Sequence, residues 1–229
     1  MSFKTNRRQI RVGRVVGTGA FTLLFVGASL PSSVSAAPKA SNQAQIALSI
    51  GESGENAYDD ALAGKWNSLS RVAKRIALST ATLPAQWRPL RDQYHVSSRV
   101  SELQAAARSH NKWKAAEAAN QVTLFAARLE EPTKPLIPTA ITLLDVYGRE
   151  LQIAVGQNDS GAARKTLGTL DSTWNQVRPR VVGARGTVAA KRFDGALRYA
   201  HVARFGSALA KASVSILDEV DVLEKVFTH

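Results

Sequence analysis

Residues 143–160 read LLDVYGRELQIAVGQNDS, and the fold follows from their pattern. Leu144, Leu151 and Val155 recur at steps of seven and four, which places them on one face of an α-helix. Asn158-Asp159 then supplies a turn pair, and Ser160 opens the next run. The stretch reads as helix, turn, helix.

The same organisation recurs on both sides. Trp66, Trp113 and Ser160 are spaced 47 and 47 apart, each just after a turn-like pair: Gly64-Lys65, Asn111-Lys112 and Asn158-Asp159. Pro84, Pro132 and Pro179 follow at spacings of 48 and 47. Proline lacks a backbone donor and clashes with the preceding turn, so each is expected to end the helix before it. Glu102-Leu103-Gln104 and Glu150-Leu151-Gln152 match at a spacing of 48. A weaker fourth unit follows Gly206, opening at Ser207 and running to Phe227.

Further stripes at helical spacing are Leu62, Trp66, Leu69, Ala73, Ile76 and Val100, Leu103, Ala107. Alternating β patterns are absent. The expectation is an all-α chain, an antiparallel helical bundle or a short solenoid built from four helix-turn-helix units of about 47 residues.

The N-terminus carries a different signal. Lys4, Arg7, Arg8, Arg11 and Arg14 precede an apolar run from Val15 to Leu30, then Pro31 and the small residues of Val34-Ser35-Ala36. This is the three-part pattern of a secretory signal peptide, with cleavage expected after Ala36. The apolar run is short for a membrane span, which needs roughly 20 residues. Arg7-Arg8 suggests twin-arginine export, but charged Arg11 follows Ile10 where an apolar residue belongs, so a Sec-type signal fits better. With no cysteine in the chain, lipoprotein attachment, disulfides, thiolate metal sites and cysteine nucleophiles are excluded. The domain reading is 1–36 signal peptide, 37–54 flexible N-terminal lead and 55–229 helical domain.

Residues 37–229 carry 25 Lys+Arg against 18 Asp+Glu, a net +7. Basicity inside a cell would point to nucleic acid. Export points instead to an envelope protein or an anionic envelope component. No block of five like charges occurs in this part, so a scattered, solvated basic surface is expected.

Motifs for chemistry are sparse. No Glu-x-x-His, His-Glu-x-x-His, Gly-x-Ser-x-Gly or phosphate loop is present. The only methionine is Met1, which excludes His/Met haem ligation after cleavage. His95, His110 and His201 are the residues through which a metal- or haem-handling bundle would have to work. Trp87 with Arg88 and Arg91, and Trp174 with Arg178 and Arg180, set an aromatic beside two arginines at what read as helix boundaries. Such groups can hold anionic or ring-bearing ligands, or can pack and cap a hairpin end. The acids Asp218, Glu219, Asp221 and Glu224 oppose the dipole of a terminal helix and call for a basic neighbour, for which the chain's own arginines suffice. The functional expectation is an exported, periplasmic or secreted, non-enzymatic binding or scaffold protein that uses no cofactor. The alternative is the metal- or haem-handling bundle.

Overall fold

Good helix formers dominate the chain, and the structure is correspondingly helical. The computed structural model describes residues 42–228, which contain nine α-helices and no strand. The signal-peptide reading and His229 lie outside the described residues. The helices are α1 (Asn42–Leu62), α2 (Trp66–Ala81), α3 (Arg88–Gln93), α4 (Val96–Arg108), α5 (Lys112–Glu130), α6 (Thr139–Gly156), α7 (Ser160–Gly183), α8 (Thr187–Val202) and α9 (Ser207–Lys225). Short 3₁₀ turns at Ala85–Trp87 and Glu131–Thr133 complete the set.

One turn chemistry joins four helix pairs. Gly64, His110, Asn158 and Arg185 each adopt a left-handed conformation, with φ of 68°, 53°, 62° and 67°. In each case the next N–H reaches back five residues: Lys65 to the Asp60 carbonyl (2.8 Å), Asn111 to Ala106 (2.9 Å), Asp159 to Ala154 (2.8 Å) and Gly186 to Val181 (2.9 Å). These are Schellman turns, which satisfy the last carbonyls of the outgoing helix. Asn111 and Asp159 then cap the incoming helices, accepting from the N–H groups of Lys114 (3.2 Å) and Ala162 (2.8 Å). The helices so opened begin at Trp66, Lys112, Ser160 and Thr187.

Two expectations are corrected. The flexible lead assigned to 37–54 is helical from Asn42 onward, because Ala44, Ala47, Ile50, Ala57 and Ala61 form a buried stripe against α5. Gly54 is a point of close approach: a Cβ there would lie 2.5 Å from Thr123 Oγ1 and 3.2 Å from the Ala119 carbonyl. The second correction is Pro179, which does not end a helix but sits inside α7. Pro179 and Asn175, whose carbonyl loses its donor, are both exposed, so solvent can satisfy what the helix cannot.

The packing closes into two rings of four helices. α1 lies against α2 and α5, and α4 lies against the same two. α6 lies against α7 and α9, and α8 lies against those two. Each ring has its own core, one around Ile50, Leu69, Ile76, Leu103 and Phe125, the other around Ile141, Leu144, Leu170, Phe193 and Ile216. Burial of each such side chain stabilises by roughly 1.5–3 kcal/mol. The rings meet chiefly where α5 packs on α6. There Asn120, fully buried, donates to the Val146 carbonyl at 2.9 Å.

Candidate functional site

The aromatic and arginine groups singled out in the sequence lie in different rings. Trp87 is buried in the first core, while Arg88 is exposed and Arg91 pairs with its neighbour Asp92 at 2.8 Å. Trp174 is buried in the second core, in the middle of α7 and not at a boundary. Its indole N–H donates to Asp194 Oδ1 at 2.7 Å, and Arg178 grips the same carboxylate with two further donors, at 2.7 and 3.0 Å. The Arg178 hydrogen bond holds the Asp194 carboxyl below its usual range, with Trp174 adding to it against the opposing effect of burial. Arg180 lies over the Phe227 ring at 5.9 Å and lines an open depression of about 470 Å³ at the start of α6. The two groups therefore do not converge on one site.

The histidines are also apart. His95 and His110 occupy left-handed turns at opposite ends of α4. Thirteen residues of helix separate them by about 20 Å of rise. His110 stacks on Trp66, with ring centroids 4.9 Å apart. His201, on α8, meets Asp171 at 2.9 Å. Among the described residues no three His, Cys, Asp or Glu side chains are grouped to hold a metal ion.

A cluster that sequence reasoning missed lies where α1, α6 and α9 converge. Arg149 on α6 is only 2 % exposed. Its Nη2 meets the buried Asp145 at 2.6 Å and Glu55 of α1 at 3.6 Å, and its guanidinium lies 5.4 Å from the Tyr58 ring centroid. The Tyr58 hydroxyl donates to Gln152 Oε1 at 2.6 Å, so α1 and α6 are tied by charge and by hydrogen bond. Burial by itself would lower the Arg149 pKa, but Asp145, Glu55, Tyr58 and Asp59 outweigh it and raise the value. Glu224 of α9 faces the same region. Burial first, then repulsion from Asp145, Glu55 and Asp221, pushes its carboxyl up to about 7, against the pull of Arg149. The expected basic neighbour of the α9 acids is thus present, and Arg192 supplies a second by holding Glu219 at 2.8 Å. The i, i+4 spacing of Asp145 and Arg149 was the available sequence signal; their burial had none.

The outer surface holds a second missed feature. Residues 178–204 contain seven Lys or Arg and one acid, Asp194, a net +6. Residues 42–228 as a whole carry 24 Lys+Arg and 18 Asp+Glu, also +6. The remainder is neutral, so the basic charge is not scattered. Cations spaced one to six residues apart escape a search for uninterrupted blocks, but these seven all fall on the end of α7, on α8 and in the turns that follow each. Five of the eight exposed large apolar side chains fall in nearly the same stretch: Val182, Val188, Tyr199, Val202 and Phe205.

No family model matches the chain, and comparison with curated proteins and with solved structures finds no similar protein.

Proposed function

We propose that this is an exported, non-enzymatic binding or scaffold protein of the cell envelope, and that its work is done by the surface formed by the end of α7 and by α8. The observation that carries this reading is the coincidence, within 178–204, of the net positive charge of residues 42–228 with four of their eight exposed large apolar side chains, a fifth, Phe205, lying next to that stretch. Charge concentrated this way raises the local concentration of an anionic partner.

The arrangement is read as two tandem antiparallel four-helix bundles, each made of two helical hairpins of about 47 residues. Ring-like pairing of neighbouring helices, tight turns between them, and helix starts at Trp66, Lys112, Ser160 and Ser207 support it. The polar groups that could serve chemistry are occupied within the protein: Arg178 and Trp174 with Asp194, His201 with Asp171, Arg149 with Asp145. Such pairing favours a stable platform over a reactive centre.

Cell fractionation followed by N-terminal sequencing tests the reading. The expected protein lies in the envelope fraction, begins at Ala37, and retains an envelope component that a Lys191→Glu/Arg198→Glu variant does not. A cytosolic chain beginning at Met1 overturns the export reading. An exported chain whose envelope contacts are the same in wild type and variant overturns the assignment of the surface.

A further inference from the structure

We infer that the outward face of α8 docks on an anionic lipid headgroup layer, an assignment that rests on the binding reading above and names its partner. At about 100° per residue, Val188, Gly195, Tyr199 and Val202 fall within about 60° of arc on α8. Val188 and Val202 are 74 % and 75 % exposed and Tyr199 is 45 % exposed. The opposite face of the helix is sunk in the second core through Ala189, Ala190, Phe193 and Leu197. The outward stripe is therefore not a misplaced core face; it is a separate surface on a rigidly held helix.

Charge flanks this stripe. Lys191 and Arg198 run along one side, Arg192 along the other, and Arg204 follows the helix end beside the exposed Phe205. Arg192 is bound to Glu219 of α9, whereas Lys191 and Arg204 have no ion pair among the described residues. An apolar line bordered by cations, with an aromatic that has a polar tip, is the chemistry of a helix lying in the plane of an anionic membrane surface. Tyrosine favours the headgroup level, and each nearby cation adds electrostatic attraction.

The shape argues against a folded protein as the occupant. The stripe is convex, and Gly195 leaves a gap in its middle. Three side chains along about 21 Å of helix fall short of the apolar centre of a standard protein interface, which buries about 800 Å² on each side. A headgroup layer needs no complementary groove. No helix among the described residues is long and apolar enough to cross a membrane, so this contact is peripheral.

Vesicle sedimentation tests the assignment, using the chain from residue 37, since the described residues 42–228 lie within one compact unit and the apolar run of residues 15–30 would itself enter lipid. The expected result is binding to phosphatidylglycerol/phosphatidylcholine vesicles, none to phosphatidylcholine alone, and loss in high salt. Removing a cation should weaken binding about fivefold each time, so Lys191→Glu/Arg198→Glu/Arg204→Glu should abolish it. Tyr199→Ser/Val202→Ser should weaken it while preserving its salt dependence. All five positions are exposed or at a helix end, and unchanged thermal melting verifies that the variants remain folded. Absence of binding to anionic vesicles overturns the proposal, as does wild-type binding by both variants. Equal affinity for duplex DNA, unaffected by the Tyr199/Val202 change, also overturns it, because binding would then be to any polyanion. If vesicles fail but an envelope protein is retained by wild type and lost from the variants, the binding reading survives and the lipid assignment falls.

Discussion

Replacing Arg149 by Met should be the most damaging single change on the α1–α6–α9 seam. Methionine keeps the unbranched apolar stem of arginine and removes the guanidinium, so the effect is chiefly electrostatic. Arg149 is almost fully buried, with Asp145 at 2.6 Å and Glu55 at 3.6 Å. Removing one partner of a buried ion pair leaves a charge with neither water nor counter-ion, at a cost of about 3–5 kcal/mol. Coulomb attraction at about 4 Å and an effective dielectric near 20 gives about 4 kcal/mol, the same scale. With a urea slope of about 2 kcal/mol/M, the unfolding midpoint should fall by about 2 M at pH 7.5. The double variant Arg149→Met/Asp145→Leu should recover most of this, since an apolar pair of similar volume is often as stable as the ion pair it replaces. The loss should also shrink at pH 5, where Glu224 is protonated and fewer anions surround the missing cation. Urea unfolding at both pH values gives all of these quantities. A midpoint shift below about 0.5 M for the single variant, or a double variant no better than the single, would refute the view that Arg149 holds the seam by neutralising buried acids.

Three further outcomes follow from the packing and the acids. The Glu224 carboxyl is raised from 4.5 to about 7 in the folded state, so the folded protein binds the proton more tightly, and the stability this confers below pH 4.5 is lost as pH rises through about 7. That difference corresponds to about 3 kcal/mol, and Glu224→Gln should flatten the pH profile of thermal melting between those limits. Gly156→Ala should destabilise by about 1–3 kcal/mol in calorimetry, because the new Cβ would overlap the Trp113 ring where α5 meets α6; Trp113→Leu should relieve much of the clash. Pro179→Ala should raise the melting temperature, since it restores a donor to the Asn175 carbonyl within α7 and helix propensity favours Ala over Pro by about 3 kcal/mol, partly offset by a more flexible unfolded chain. A lower melting temperature for that variant would show that proline contributes more through the unfolded state than it costs in the helix.

The amino-acid sequence by itself determined the helices and most of their turns, because these depend on neighbours. Leu144, Leu151 and Val155 show a helical face wherever the chain lies, and the Gly64-Lys65 and Asn158-Asp159 pairs favour a left-handed residue followed by a helix start. Local rules failed where solvent or a distant helix intervenes. Pro179 is tolerated because its side of α7 is exposed, and the start of α1 is helical because its buried stripe packs on α5, which Gly54 lets approach closely. Only the tertiary structure could distinguish among the cations. Arg149, Arg178 and Lys191 look alike in sequence, yet one is buried among carboxylates, one is spent on Asp194, and one faces outward. Burial and pairing are set by contacts across tens of residues, such as the 94 that separate Tyr58 from Gln152, and no local pattern encodes them.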